Sequence, residues 1–136
     1  MKLTINLLFV VFFLQLPSVL FAQKIEITHG PYIQAVGEDE VTIVWTTNTN
    51  AVSWVELAPA GNNSFYAEEH PQYYQTANGN RVVGTLHKIR IPNLTKATEY
   101  RYRIFSKEVL KYGGHRILYG NIASSDVYSQ KPHRFR

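Results

Sequence analysis

The sequence predicts an all-β protein, an antiparallel sandwich of about seven strands behind a removable leader. Three observations carry this. Short runs alternate apolar and polar residues with a period of two, and turn residues separate them about every ten positions. After residue 23 no stretch holds the 3.6-residue apolar period of a helix. Nine Tyr, seven Phe and two Trp supply the bulky side chains that pleated sheets pack well. Parallel α/β folds are disfavoured because no crossover helix is available.

The first element is the leader, residues 1–22. Lys2 gives a positive start, Leu7 to Leu14 form an apolar run, and Pro17 and Ser18 break it. Ala22 is a small residue suited to cleavage before Gln23. This is the layout of a secretory signal peptide. The apolar run is shorter than the ~20 residues of a membrane span, so an uncleaved anchor is disfavoured. The expected product is one exported domain, residues 23–136, in the periplasm, on the cell surface or secreted, with no stable membrane insertion after cleavage. The chain has no Cys, which excludes a lipid-modified N-terminal cysteine and disulfides, and favours a bacterial source. A hydrophobic content of 45% is too high for a disordered chain.

The strands follow in order. Ile25 to Ala35 forms the first, broken at Gly30-Pro31; proline has no N–H to donate, so this is an edge. Gly37-Glu38-Asp39 turns the chain. Val41, Ile43 and Trp45 share an apolar face. Asn48 to Asn50 reads as a turn, and Ser53 to Leu57 as a strand with Val55 and Leu57 inward and Trp54 outward. Pro59 and Gly61-Asn62-Asn63 mark the next turn. Phe65 to Glu69 fits a short edge strand, and His70 to Asn80 reads mainly as loop. In Val82 to Ile91, the residues His87, Ile89 and Ile91 point one way and Lys88 and Arg90 the other. Glu99 to Phe105 alternates most cleanly, with Tyr100, Tyr102 and Ile104 on one face and Glu99, Arg101 and Arg103 on the other. Residues 106–129 read as irregular, and Lys131 to Arg136 as the last strand, cut short at the chain end.

One segment resembles a known fold. Leu94, Thr98, Glu99, Tyr100, Arg101, Tyr102 and Ile104 resemble the strand-connecting turn of fibronectin type III domains, with Lys96 and Ala97 where Pro and Gly are usual. Tyr100 is the corner tyrosine that buries its ring and bonds its hydroxyl to upstream backbone. Trp45 matches the buried tryptophan of the same immunoglobulin-like sandwich. Trp45, Leu94, Tyr100 and Tyr102 are therefore expected to be structural residues. The start of the domain is more specific. Thr28-His29-Gly30-Pro31-Tyr32-Ile33-Gln34, followed by Val41-Thr42-Ile43-Val44-Trp45, resembles the N-terminal domain of purple acid phosphatases and related bacterial metallophosphoesterases. Ser53 to Glu56 and Leu86 to Ile89 fit that family's strands. The resemblance covers residues 25–107 and 131–136, with 108–128 as an insertion.

In that family a fibronectin-type-III-like sandwich precedes a phosphatase domain holding two metals. The resemblance implies Asp-x-His, Gly-Asp-x-x-Asp and Gly-Asn-His motifs for that chemistry. The chain has two Asp, Asp39 and Asp126, neither with a His two residues later, and no Asn precedes a His. So no catalytic, cofactor-binding or metal-ligating residue is expected in this chain. The dinuclear metal belongs to a catalytic domain absent from it, and the expected partner is that C-terminal domain of the same polypeptide.

Other chemistry has weaker support. His29, His70, His87, His115 and His133 lack the ligand spacing of a metal site. His87 fits a hydrogen-bonded interior residue better. Ser64 and Ser124 have no nucleophile-elbow context. Glu68 and Glu69 point to opposite faces of a strand, which suits no acid–base pair. Asn62-Asn63-Ser64 and Asn93-Leu94-Thr95 match the glycosylation sequon but read as turns. Net charge is +4, with Lys107, Lys111, Arg116, Lys131, Arg134 and Arg136 near the end. No basic–aromatic recognition motif accompanies them, and export argues against nucleic acid. The sequence thus predicts a non-catalytic accessory sandwich of an exported metallophosphoesterase. The alternative is a free-standing module binding glycan or protein through Trp54, Tyr66, Tyr73 and Tyr74.

Overall fold

In the computed structural model, residues 23–113, 116–125 and 131–136 are described. The leader, His115 and Asp126 lie outside these residues. Among the described residues no helix is long and apolar enough to cross a membrane.

The strands are β1 (Ile27–Gln34), β2 (Val41–Pro59), β3 (Gln72–Tyr74), β4 (Thr76–Ala77), β5 (Asn80–Arg81), β6 (Gly84–Ile91), β7 (Tyr100–Lys111), β8 (Leu118–Ser124) and β9 (His133–Phe135). All pairings between them are antiparallel. The long strand β2 belongs to two layers. Its first half lies between β1 and β6, with Tyr32↔Val44 on one side and Ile43↔Ile89 on the other. Its second half lies between β3 and β7, with Val55↔Tyr73 and Val55↔Ile104. On its far edge β7 carries β9 and then β8 end to end, so the two act as one interrupted strand. The result is a sandwich of three strand positions against four, the arrangement that the fibronectin type III resemblance implies.

The interior follows from the alternation. Val41, Ile43 and Trp45 from β2 meet Val55 and Leu57 from its second half, Ile89 and Ile91 from β6, and Tyr100, Tyr102 and Ile104 from β7. Trp45 is fully buried, and burying such a side chain contributes about 3 kcal/mol. As the proline predicts, β1 is an edge: among the described residues it pairs with β2 alone, and its register breaks between Ile27 and Tyr32. Gly30 has φ +93°, and a Cβ there would lie 2.8 Å from the Val44 carbonyl oxygen, so the close approach of β1 to β2 requires glycine.

Four sequence expectations need correction. Asn48 to Asn50 is not a tight turn; β2 stays extended through it. Side chains satisfy the crossing backbone: Thr47 Oγ1 donates to Thr49 O at 2.8 Å, and Asn48 bonds Lys24 O and the Glu26 N–H, each at 2.8 Å. Phe65 to Glu69 is a turn, closed by Ala67 N–H on Ser64 O at 3.2 Å. A turn buries Phe65 against His70, ring centroids 4.2 Å apart, which an exposed edge strand would not. Within His70 to Asn80, β3 is a strand too short to show a period, and Asn78-Gly79, both at positive φ, closes the β4–β5 hairpin.

The fourth correction concerns residues 106–129. They include the end of β7 and all of β8, a paired hairpin rather than an irregular insertion. Here the polarity is inverted. Ser106 and Glu108 point inward and are buried, while Leu110, Tyr112, Leu118 and Ile122 are exposed. Register breaks between Lys107 and Lys111 disturb the alternation further.

Candidate functional site

Each of the four expected structural residues lies inside or against the sandwich. Asn93 and Ala97 take positive φ in the turn before β7, Ala97 at a place where glycine carries no Cβ penalty. Between them, Leu94 packs on the core and its N–H bonds Asp39 O at 2.7 Å. The Thr95 N–H donates to the Tyr100 hydroxyl at 2.9 Å. The Tyr100 ring stacks on Phe135 of β9, centroids 5.6 Å apart. Tyr102 lies between His133 and Phe135, and burial pushes its phenol pKa up to about 12. At this end, strand, turn and final strand are locked through tyrosines.

The opposite end of the interior is polar. Trp45 Nε1–H donates to Ser106 Oγ at 2.9 Å, and Ser106 Oγ meets Ser53 Oγ at 2.8 Å. His87 Nε2 lies 3.0 Å from Thr47 Oγ1. Because Thr47 gives its single hydroxyl proton to Thr49 O, it can only accept from the ring, which fixes the proton of neutral His87 on Nε2. Burial lowers the His87 pKa to about 4. The imidazole, tilted against Trp45 at 5.4 Å, is a neutral packing group at neutral pH.

The remaining candidates are scattered. His29 Nδ1 meets Thr46 Oγ1 at 3.3 Å on the surface, and His70 Nε2 meets Phe65 O at 2.5 Å. His133 packs on Tyr102. Among the described residues, no three of His, Cys, Asp and Glu gather to hold a metal ion. Glu68 accepts from Asn63 Nδ2 at 3.1 Å in the turn after β2. Ser124 Oγ accepts from Arg103 Nη2 at 3.4 Å, an arginine rather than a base.

The aromatic cluster divides in two. Tyr73 joins the core. Tyr74, Trp54 and Phe105 sit opposite one another on β3, β2 and β7, on the outer face of the four-strand layer. Their rings form a ladder: Tyr74–Trp54 at 5.7 Å and Trp54–Phe105 stacked at 5.1 Å. Arg81 covers the Tyr74 ring at 3.8 Å, and Arg103 lies over Phe105 and Tyr66 at 5.3 and 4.6 Å. Each ladder ring is thus flanked by two neighbours, which uses their stacking capacity within the protein. The period of two foretold the facing of Trp54; it also puts Arg103 on the same face as Phe105, whereas Arg81 reaches Tyr74 from the β4–β5 hairpin, which left no pattern to read.

Arg101 was also missed as an anchor. Alternation puts it outward, yet it is buried. The turn after β2 folds over it, and the guanidinium donates to Pro59 O, Asn63 O and Asn63 Oδ1 at 3.2, 2.8 and 3.0 Å. A cleft of about 340 Å³ beside it is lined by Glu68, His70, Tyr73 and Leu94 among others. Long side chains reach over a sheet edge in ways that burial periodicity does not show.

The sequence model of one family, described as the N-terminal domain of purple acid phosphatase, matches residues 29–131. That span runs through 108–128, which therefore lies within the matched region, not outside it. No curated protein and no solved structure matches the chain.

Proposed function

The chain belongs to the purple acid phosphatase N-terminal domain family, and from that premise we propose that it is a non-catalytic accessory sandwich of an exported metallophosphoesterase. Its role is structural: it packs against and orients a phosphatase domain of the same polypeptide. The dinuclear metal and the hydrolysis belong to that domain. The observation that carries the reading is the family match over most of the chain. The geometry supports it, because Trp45, His87, Tyr100 and Arg101 are each engaged in packing and hydrogen bonds.

Two measurements test this. The reading frame beyond the Arg136 codon should encode the Asp, Asn and His motifs of a dinuclear site; a frame without them removes the proposed parent. The purified domain should hydrolyse no aryl phosphate with added iron, zinc or manganese. Metal-dependent turnover that copurifies with it would overturn the non-catalytic reading. For export, the leader fused to a reporter should carry it out of the cytoplasm, and a retained reporter would sink that part.

A further inference from the structure

We infer that the open edge of β8 is a docking site for an extended, acidic strand of another polypeptide. Among the described residues β8 pairs with β7 alone, so one row of its backbone N–H and C=O groups faces outward. Natural edges are blunted by proline, charge or bulges. Proline and register breaks do this for β1. From Ile117 to Ser125 there is no charged residue and no proline. The register breaks of β8 fall toward the hairpin end, and Ile122, Ala123 and Ser124 keep regular pairing with β7.

Those three residues also form one wall of a cleft of about 470 Å³, whose other wall is Lys24 to Ile27, the approach to β1 in the facing layer. A strand added to β8 would place alternate side chains over this cleft. Ile122 on its wall and Leu118 at the other end of β8 are about half exposed, so the added strand gains apolar contact as well as backbone hydrogen bonds.

Charge selects the occupant. Lys24 stands on the cleft wall, Lys107 and Lys111 pair across from Ile122 and Leu118, and Arg116 precedes the strand; the acids nearby are Glu26 on the cleft wall and the buried Glu108, whose carboxylate is engaged by the Asn121 N–H at 3.4 Å. An acidic segment complements this rim. A second copy would bring the same cations face to face. An anionic membrane would suit the charge but leave the backbone groups of the edge without partners in lipid. The inference is independent of the accessory role, since it concerns an edge and not the phosphatase reading.

The test uses the full chain and a short fluorescent peptide alternating valine with glutamate. Fluorescence anisotropy should show saturable binding, and hydrogen exchange should show new protection confined to residues 118–124. Exchanging glutamate for lysine in the peptide, or methylating alternate backbone nitrogens, should each weaken binding about tenfold or more. Lys24→Glu, outside the sheet, should weaken it about threefold or more. The Ser125 N–H bonds Ile104 O and the Asn121 N–H bonds Glu108, both toward β7, so alternation turns the Ile122 N–H outward; Ile122→Pro removes that edge N–H and should abolish binding in protein whose circular dichroism is unchanged. No saturation at millimolar peptide, protection elsewhere, or equal binding of the methylated peptide would overturn the inference. So would self-association of the free chain, or capture by phosphatidylglycerol vesicles in preference to the peptide.

Discussion

The Tyr100 hydroxyl accepts a hydrogen bond from the Thr95 backbone N–H at 2.9 Å, so the first strand residue after the turn holds the turn that delivers it. Tyr100→Phe keeps the ring on Phe135 and removes only this bond. Urea unfolding should show a loss of about 1 kcal/mol, the usual net value of one hydrogen bond. A change near zero would mean that the ring alone holds the corner.

Ser106 is small, yet Trp45 and Ser53 both depend on it. Ser106→Ala leaves the buried indole N–H without its acceptor, and stability should fall by about 2 kcal/mol. Ser53→Ala leaves the Trp45–Ser106 bond in place and should cost less. Chemical denaturation of the two variants gives the order, and the reverse order contradicts the network.

His87 makes stability depend on pH. Its pKa is about 4 in the folded protein against 6.5 unfolded, so between these values the unfolded chain binds more protons. Stability should therefore be full above pH 6.5 and fall as pH drops toward 4, by up to about 3 kcal/mol for a shift of this size. The expected signature is a thermal midpoint that falls across this window in the wild type and more weakly in His87→Gln. Parallel profiles would rule the imidazole out as the cause.

Gly30 and Gly120 separate two kinds of steric conflict. A Cβ at Gly30 meets the fixed Val44 carbonyl oxygen at 2.8 Å and the position has φ +93°. At Gly120 it comes closer still, but to Glu108 Oε2, the end of a side chain rather than backbone. Gly30→Ala should lose more than about 2 kcal/mol, from strain and clash together. Gly120→Ala should lose less than that, although its distance is shorter. Guanidinium unfolding of both variants decides whether rigidity of the neighbour outweighs distance.

Much of this was legible before any coordinates. A strict period of two in Val41 to Trp45 and Tyr100 to Ile104 named the inward residues, because one face of each strand meets an apolar layer. His87 could be placed by its register with Ile89 and Ile91. The hairpin of β7 and β8 was not legible, since its inward residues are Ser106 and Glu108 and its apolar residues face out. The short strand β3 has too few residues for a period. The ladder of Tyr74, Trp54 and Phe105 arises from cross-strand register, which no local pattern encodes.

The passage of β2 through both layers couples their fates. Trp45 reports from its first half and Trp54 from its second. Neither layer can melt without stripping the middle strand from the other, so unfolding should be cooperative across the whole domain. Trp45→Phe and Trp54→Phe each leave one fluorophore. In each variant, the fluorescence and far-ultraviolet dichroism transitions should share one midpoint. The domain would then behave mechanically as a single block, able to transmit load from one face to the other without an internal hinge.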